Sequence, residues 1–176
     1  MIRIGVTGHR ALSNYDDLIH SIDLAFDKII SSVDASSIQI LSSLAEGADR
    51  LVASLAIENH GAQLIAPLPF KTPDYMLDFD SEASQKEFHA LLEKAEETII
   101  ISREKTRQEC YLSAGRYILK NCDVLIAVWN GKPAKGVGGT ADIVSEARMI
   151  NLPIAWIQTS ANNQIIYENF PIKPSA

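Results

Sequence analysis

The sequence predicts an α/β protein with a doubly wound, mainly parallel Rossmann-like sheet of about six strands and helices on both faces. Three observations support this prediction. Short runs rich in Ile and Val alternate along the chain with longer segments in which apolar residues lie three and four positions apart. The short runs are apolar on both sides, as in strands that are buried in a parallel sheet. Strict alternation of strand and helix also requires right-handed crossovers, which cover both faces of the sheet.

Six runs have the composition of buried strands and are bounded by Gly, Pro, Asp or Ser. They are IRIGVT (2–7), IQILSS (38–43), QLIAPL (63–68), TIIIS (98–102), DVLIAVW (123–129) and PIAWIQ (153–158). Five segments between them have helical periodicity, roughly 14–33, 45–60, 82–95, 107–121 and 140–151. In the first, Leu18, Ile22, Ala25, Phe26 and Ile29 recur at the spacing of one helix face.

Two segments leave alternatives open. KTPDYMLDFDSEAS follows the third predicted strand and is long for a connection in such a fold, so it is either a lid or a short extra helical turn that plugs the sheet edge. The residues from 158 to 176 contain IIYENF, which fits an edge strand or a packed tail. The chain has no internal repeat, low-complexity tract or linker, and we interpret residues 1–176 as a single domain.

Composition excludes several classes of function. A chain of 176 residues with 47% hydrophobic and 22% charged residues has the character of one ordinary globular domain. A net charge of -6 disfavours duplex nucleic acid as a partner. The apolar runs are far shorter than the roughly 20 residues that cross a bilayer, so we expect no membrane partner. The two cysteines lack metal-site spacing and no signal pattern opens the sequence, so we expect a cytoplasmic protein without a metal or other cofactor.

Glycine-containing loops follow the first, second and fifth predicted strands. In open parallel sheets, ligands collect at the carboxyl ends of the strands, near the point where the strand order reverses. The first loop holds Gly8, His9 and Arg10, in which glycine lets the backbone approach a ligand and the guanidinium can hold a phosphate. Each glycine also fits plain turn chemistry, and His9 alone fits a structural hydrogen-bonding role.

The second loop, SSLAEGADR, offers Ser43, Glu46 and Asp49. Its hydroxyl and backbone N–H groups precede a helix, and either carboxylate is a candidate acceptor for ribose hydroxyls. The alternative role of both carboxylates is to stabilise the positive end of that helix.

The third loop, GVGGTAD, combines Gly138, Gly139, Thr140 and Asp142 at the start of a helix. Backbone N–H groups at a helix N-terminus form an anion site, so we predict a phosphate-binding loop here.

Two further candidates lie close to these loops. Trp129 ends the fifth strand and either stacks on a base or completes the core. Arg116 lies in the fourth predicted helix with Tyr111 and Gly115, and it either points toward the same mouth or is an ordinary surface arginine.

Well-known catalytic and nucleotide motifs are absent from the sequence. Gly131 and Lys132 are followed by Pro133, which does not match the Walker P-loop pattern. A dinucleotide fingerprint needs three glycines at the first strand, where this chain has only Gly5 and Gly8. No G-x-S-x-G elbow and no His, Cys or carboxylate cluster with metal-ligand spacing occurs. The sequence therefore disfavours a Walker NTPase, a dehydrogenase, and hydrolysis by acyl or zinc chemistry.

Several motifs together resemble the SLOG superfamily of Rossmann-like proteins related to the LOG phosphoribohydrolases. These are IGVTGHR, SSLAEGADRL, PLPF with the segment 75–79, and CDVLIAVWNGKPAKGVGGTADIV, which span roughly residues 2–158. The resemblance implies binding or sensing of a nucleotide-derived ligand, of the NAD, ADP-ribose or nucleoside monophosphate type, at the carboxyl ends of the strands. It also implies a homo-oligomer, a dimer or higher.

LOG enzymes hydrolyse the N-glycosidic bond of nucleoside 5'-monophosphates and carry the motif P-G-G-x-G-T-x-x-E. Here Gly138, Gly139 and Thr140 loosely match its final glycine-threonine part, Ile143 stands where the glutamate is expected, and Asp142 lies one residue earlier. The companion Met-His-x-Arg-Lys motif is absent. The alternative hypothesis is that this protein is a hydrolase of this kind, in which Asp142 or Glu46 would stabilise positive charge at the anomeric carbon.

Overall fold

The computed structural model describes residues 1–33, 35–101, 106–133 and 138–171. The strands are β1 (Ile2–Gly8), β2 (Ile38–Leu41), β3 (Gln63–Leu68), β4 (Ala95–Ile100), β5 (Val124–Trp129), β6 (Ile154–Gln158) and β7 (Gln164–Glu168). The helices are α1 (Tyr15–Ser32), α2 (Ala48–His60), α3 (Thr72–Met76), α4 (Glu82–Leu92), α5 (Arg107–Asn121) and α6 (Thr140–Met149). Among these helices, none is long and apolar enough to cross a membrane.

One seven-stranded sheet runs through the molecule in the order β4-β3-β2-β1-β5-β6-β7. All neighbouring strands are parallel except β6 and β7, which pair antiparallel. The chain builds outward from β1 to β4 on one side and then returns to pair β5 with the other side of β1, with Ile4 opposite Val124. The strand order therefore reverses between β1 and β5. The predicted fold class is confirmed, with seven strands instead of about six.

Side chains of β5 alternate between two layers of core, as the two-residue period of a strand requires. Val124, Ile126 and Val128 join the apolar cluster that contains α1, α2 and α4. Leu125 and Ala127 join the cluster on the opposite face, which α5 and α6 cover. All of these β5 side chains are fully buried, which explains why the run VLIAVW is apolar throughout.

Several elements are shorter than predicted, since β2 ends at Leu41, α2 begins at Ala48 and α4 ends at Leu92, and the structure settles both open alternatives. β4 begins at Ala95, earlier than predicted, because Glu96 and Glu97 are polar and exposed at the edge of the sheet and leave no apolar pattern. The connection after β3 forms the short helix α3, and Tyr75 and Phe79 from this segment are buried in the core, which agrees with the extra helical turn. The stretch after Gln158 contains the antiparallel edge strand β7.

Candidate functional site

A cavity of about 730 Å³ lies at the carboxyl ends of β1 and β5, where the strand order reverses. Its volume falls within the range of small-molecule sites, roughly 300–1,000 Å³. Residues of all three predicted loops line it: Gly8, His9, Arg10, Ser43, Asp49, Trp129, Gly138, Gly139 and Thr140. Parallel strands end at one edge of the sheet, so loops that are distant in sequence meet here.

The loop after β1 is fixed by close backbone contacts. A Cβ atom at Gly8 would lie 2.4 Å from the Cβ of Ala48 and 2.8 Å from the carbonyl oxygen of Val128, so only glycine fits. The His9 N–H donates to the Val128 carbonyl at 3.0 Å, and the His9 carbonyl accepts from the Ala48 N–H at 3.0 Å. The loop is therefore held between β5 and the start of α2.

Gly47 lies against the same loop from the other side. Its φ of +82° belongs to a backbone region that L side chains rarely adopt, and a Cβ there would lie 2.2 Å from the Arg10 carbonyl oxygen and 2.5 Å from that of His9. Glycine at this position lets the second loop pack directly on the first.

The His9 imidazole joins two of the loops. Its Nε2 accepts a hydrogen bond of 3.2 Å from the Asn130 N–H. Asn130 follows β5 and also lines the cavity. His9 thus has the structural hydrogen bond that the sequence left as one alternative, and it also faces the ligand space.

Arg10 belongs to a polar network at the rim of the cavity. Its Nη2 donates to the Tyr111 hydroxyl at 3.0 Å and its Nη1 to the Asp78 carbonyl at 3.3 Å. The Asp78 carboxylate accepts from both the Tyr111 hydroxyl and Arg107. A guanidinium has five N–H donors, so Arg10 keeps donors for a ligand.

Charge in this network is distributed unevenly. Burial raises the pKa of Tyr111 to about 12, and the bond to Asp78 acts in the same direction. Burial alone would raise the pKa of Asp78, but its bonds to Arg107 and Tyr111 and the nearby charges of Arg107 and Arg10 lower it below the ordinary value. At neutral pH the rim therefore holds a neutral phenol, a carboxylate and two guanidinium groups.

Asp49, at the start of α2, is a buried carboxyl group that lines the cavity, with 8% of the residue exposed. Burial raises its pKa to about 7, although a bond from Ala45 and the charges of Arg10 and Arg50 act against the rise. The bond from the Ala45 N–H is long, at 3.4 Å, and within the described ranges no shorter bond reaches this carboxylate. Asp49 is consequently poised to change protonation near neutral pH.

Tyr75 of α3 is a cavity residue that the sequence did not indicate. Its ring is fully buried against Phe70, Phe79 and Phe88, and no described residue forms a hydrogen bond with its hydroxyl. Burial raises the pKa of Tyr75 well above its ordinary value, and the nearby charge of Asp49 adds to this rise. A buried hydroxyl without a partner is unusual in a folded protein.

The third loop leads into α6, which begins at Thr140 with Gly139 as its N-cap and no side-chain capping bond. Gly138 has φ +86°, and its N–H donates to the Asp142 carboxylate at 2.8 Å. Gly139, Thr140 and Ala141 line the cavity, and among the described residues none accepts from their N–H groups. The N-terminus of α6 thus presents donors and a positive dipole end to the cavity. Gly136 and Val137 of this loop lie outside the described residues.

Three predicted site residues do not line the cavity in the described structure. Glu46 accepts from the Asp80 N–H at 3.1 Å and from the Ser84 hydroxyl, which fixes the start of α4. Arg116 forms a two-pronged ion pair with Glu146 of α6. Asp142 accepts from Gly138 within its own loop. Gly115, the neighbour of Arg116, does line the cavity. The two positions differ because successive residues of a helix point about 100° apart.

Trp129 is mainly a core residue with one edge on the cavity. It is 6% exposed, and its ring lies 5.3 Å from that of Trp156, measured between centroids. Its indole N–H donates to the Lys132 carbonyl at 3.0 Å. The ring therefore completes the core while it closes the cavity beside α6.

The cavity has two chemically different ends. The end at α6 offers backbone N–H donors and the Thr140 hydroxyl, which suit an anion, and Lys132 also lines the cavity. The other end holds the buried Asp49 and Tyr75. Within the described ranges, no three His, Cys, Asp or Glu side chains come together as metal ligands would.

Comparison with known proteins identifies a shared fold. No protein-family model matches the chain, and no functionally curated protein matches its sequence significantly. Among solved structures, the X-ray structure of TM1055, a structural genomics target, matches with a TM-score of 0.50 at 14% sequence identity. The match covers 88% of this chain and 72% of that one. Since such low identity carries no information on function, the likeness shows that this chain has the α/β Rossmann-like fold of TM1055 and no more.

Proposed function

We propose that this protein binds a nucleotide or a nucleotide-derived ligand, with a phosphate group at the N-terminus of α6. One observation carries the proposal: three loops from three strands converge on a single cavity at the point where the strand order reverses, and an uncapped helix N-terminus opens into it. This is the place where open α/β sheets bind their ligands.

The local charge supports an anionic ligand. The chain as a whole carries a net charge of -6, yet the cavity is lined by Arg10, Lys132 and the positive end of α6, against the carboxyl group of Asp49 alone among its described acidic lining residues. A local positive field in an acidic protein favours one small anion over a polyanionic nucleic acid. The phosphate of a nucleotide has this character.

The resemblance to the SLOG superfamily points to the same ligand class. Its motifs GHR, SLAEGAD and GGTAD are the segments that contribute the cavity-lining residues of the three loops. The resemblance therefore concerns residues that surround one space, and it supports a ligand of the NAD, ADP-ribose or nucleoside monophosphate type.

Binding without cleavage is the form of the proposal that the geometry favours. Glu46 and Asp142, the two carboxylates that are candidates for hydrolysis of a glycosidic bond, accept hydrogen bonds from other protein groups and do not line the cavity in the described structure. A catalytic carboxylate has to reach the reacting atoms. Hydrolysis by these groups stays a hypothesis, which release of free base would support.

The experiment is a thermal-shift screen with AMP, ADP-ribose and NAD, coupled to mass spectrometry of the ligand after incubation. A ligand that binds only the folded protein raises the melting temperature by mass action. Thr140→Ala and Arg10→Ala should each weaken the affinity by about 10- to 150-fold, because a hydrogen bond to a charged group contributes about 1.5–3 kcal/mol. Arg116→Ala, at a surface ion pair on the neighbouring helix, serves as the control with unchanged affinity. Absence of any stabilising nucleotide, or unchanged affinity in both site variants, would contradict the proposal.

A further inference from the structure

We infer that Asp49 and Tyr75 form a second, polar subsite of the cavity that takes a neutral hydroxylated group, the vicinal hydroxyls of a sugar. This inference rests on the proposed function, since it names a further part of the same ligand. Both residues line the cavity, and neither belongs to the phosphate-binding loop.

The Tyr75 hydroxyl supplies the first observation. Tyr75 is fully buried, and its oxygen has no hydrogen-bond partner among the described residues. Leaving a buried hydroxyl unpaired costs about 1–3 kcal/mol, so a protein that keeps one at the wall of a cavity has a use for it there. The aromatic rings around it hold the phenol in one place and offer it no acceptor.

The Asp49 carboxylate supplies the second observation. It is buried on the same cavity, and the one bond that the described residues give it, from Ala45, is 3.4 Å long. A carboxylate has room for about four hydrogen bonds, so Asp49 retains acceptor positions. Asp49 and Tyr75 therefore contribute two polar groups to the lining of one cavity.

The surrounding charges select the kind of group that fits. Two guanidinium groups lie close by: Arg50 is over the Phe79 ring, which packs against Tyr75, and Arg10 is over the Tyr111 ring, whose centroid lies 6.0 Å from that of Tyr75. The two guanidinium groups would repel a cationic ligand group, and the carboxylate would repel a phosphate. A neutral hydroxyl donates to Asp49 and accepts from Tyr75, and two adjacent hydroxyls satisfy both groups together.

The positions of the elements suit one ligand that spans both ends of the cavity. Asp49 follows β2 and the phosphate end follows β5, and these strands are the two neighbours of β1. Since adjacent strands lie about 4.8 Å apart, β2 and β5 lie about 10 Å apart across β1. A phosphate and the hydroxyls of a sugar joined to it can reach across such a separation.

The test compares each nucleotide that binds among AMP, ADP-ribose and NAD with its analogue that lacks the ribose 2'- and 3'-hydroxyls, by calorimetric titration. The wild-type protein should prefer the hydroxylated ligand by about tenfold or more, because buried polar groups are left unpaired by an analogue without hydroxyls. Tyr75→Phe and Asp49→Asn should each reduce this preference, whereas Tyr167→Phe, remote from the cavity on β7, should retain it. Thr140→Ala should weaken both ligands alike.

A second measurement needs no ligand. Tyr75→Phe should leave the melting temperature of the free protein unchanged or raise it, because it removes an unpaired buried hydroxyl. Tyr111→Phe is the matched substitution at a hydroxyl with partners, and it should lower the melting temperature. A large loss of stability in Tyr75→Phe would show that the hydroxyl already has a partner and would overturn the inference.

The outcomes separate the two proposals. If a nucleotide binds and its analogue without hydroxyls binds equally well, the subsite is wrong and the proposed function stands. A preference that persists unchanged in Tyr75→Phe and Asp49→Asn would likewise overturn the subsite. If none of the three nucleotides binds, the proposed function and the subsite fail together.

Discussion

Replacement of Gly47 by alanine tests whether the first two loops of the cavity depend on direct backbone contact. Gly47 has φ +82° and ψ -121°, outside the regions open to alanine, and a Cβ there would approach the carbonyl oxygens of Arg10 and His9 to 2.2 and 2.5 Å. Backbone carbonyls cannot turn aside as a flexible side chain does. The substitution must therefore displace the His9 and Arg10 segment or the start of α2.

The size of the effect follows from two contributions. An unfavourable φ and ψ pair costs about 1–3 kcal/mol. Steric overlap in a closely packed region adds about 1–3 kcal/mol. Together these lower the free energy of unfolding by about 2–6 kcal/mol, which for a chain of this size lowers the melting temperature by about 5–20 °C. Because the displaced segment carries Arg10, the affinity for a nucleotide should fall as well.

Gly61→Ala is the matched control, measured with Gly47→Ala by urea unfolding. Gly61 also has a positive φ, +61°, but a Cβ there would meet no atom within 4 Å. In Gly61→Ala the free energy of unfolding should fall only by the cost of a left-handed backbone conformation, about 1–2 kcal/mol. Its affinity for a nucleotide should equal that of the wild-type protein. Equal destabilisation of the two variants, within about 0.5 kcal/mol, would refute the argument that Gly47 is required by close contact.

Three further predictions concern buried polar groups. Arg50→Ala should lower the free energy of unfolding, measured in urea, by about 3–5 kcal/mol, because the buried Arg50 guanidinium binds the Leu44 and Ser84 carbonyls and the Glu87 carboxylate. The control Arg116→Ala, at a surface ion pair, should lower it by only about 0–1 kcal/mol. Burial raises the pKa of Asp49 to about 7 in the folded protein, from about 3.9 in the unfolded chain. The free energy of unfolding should therefore fall progressively as the pH rises from about 4 to about 7, because the unfolded chain loses the Asp49 proton first. Asp49→Asn should remove this part of the pH dependence of unfolding. Burial raises the pKa of the Cys122 thiol to about 12, so at pH 8 this thiol should react with a thiol reagent far more slowly in the native protein than in the unfolded chain. The measurement uses the Cys110→Ala variant, in which Cys122 is the remaining cysteine.

The fold could be predicted where burial leaves a pattern. β5 is apolar at every position because both of its faces are covered, and α5 begins and ends where the sequence indicates. β4 is displaced from the prediction because Glu96 and Glu97 are exposed at the edge of the sheet. β7 was one of two alternatives, since an edge strand with one covered face has little apolar signal.

The candidate site could be predicted in part, because glycines and polar residues at strand ends indicate loops that meet. The sequence did not indicate Tyr75 as a cavity residue, because its position depends on how α3 packs against Phe88 and Tyr111. Nor does local sequence reveal that Arg116 pairs with Glu146, a contact between two helices. Side-chain direction on a helix and partners that are distant in the chain require the folded structure.

The central position of β1 has a consequence for synthesis. β1 is synthesised before the other strands of the sheet, and its neighbour β2 soon follows, but β5 is made only after β3 and β4. Until then one side of β1 has unpaired backbone groups, which in a nascent chain can pair with a wrong strand or a chaperone. The cavity forms at this same seam, so the site is complete only after β5 and the start of α6 have emerged. A ligand of this cavity would then act late in biogenesis, by stabilising chains whose last central strand is in place.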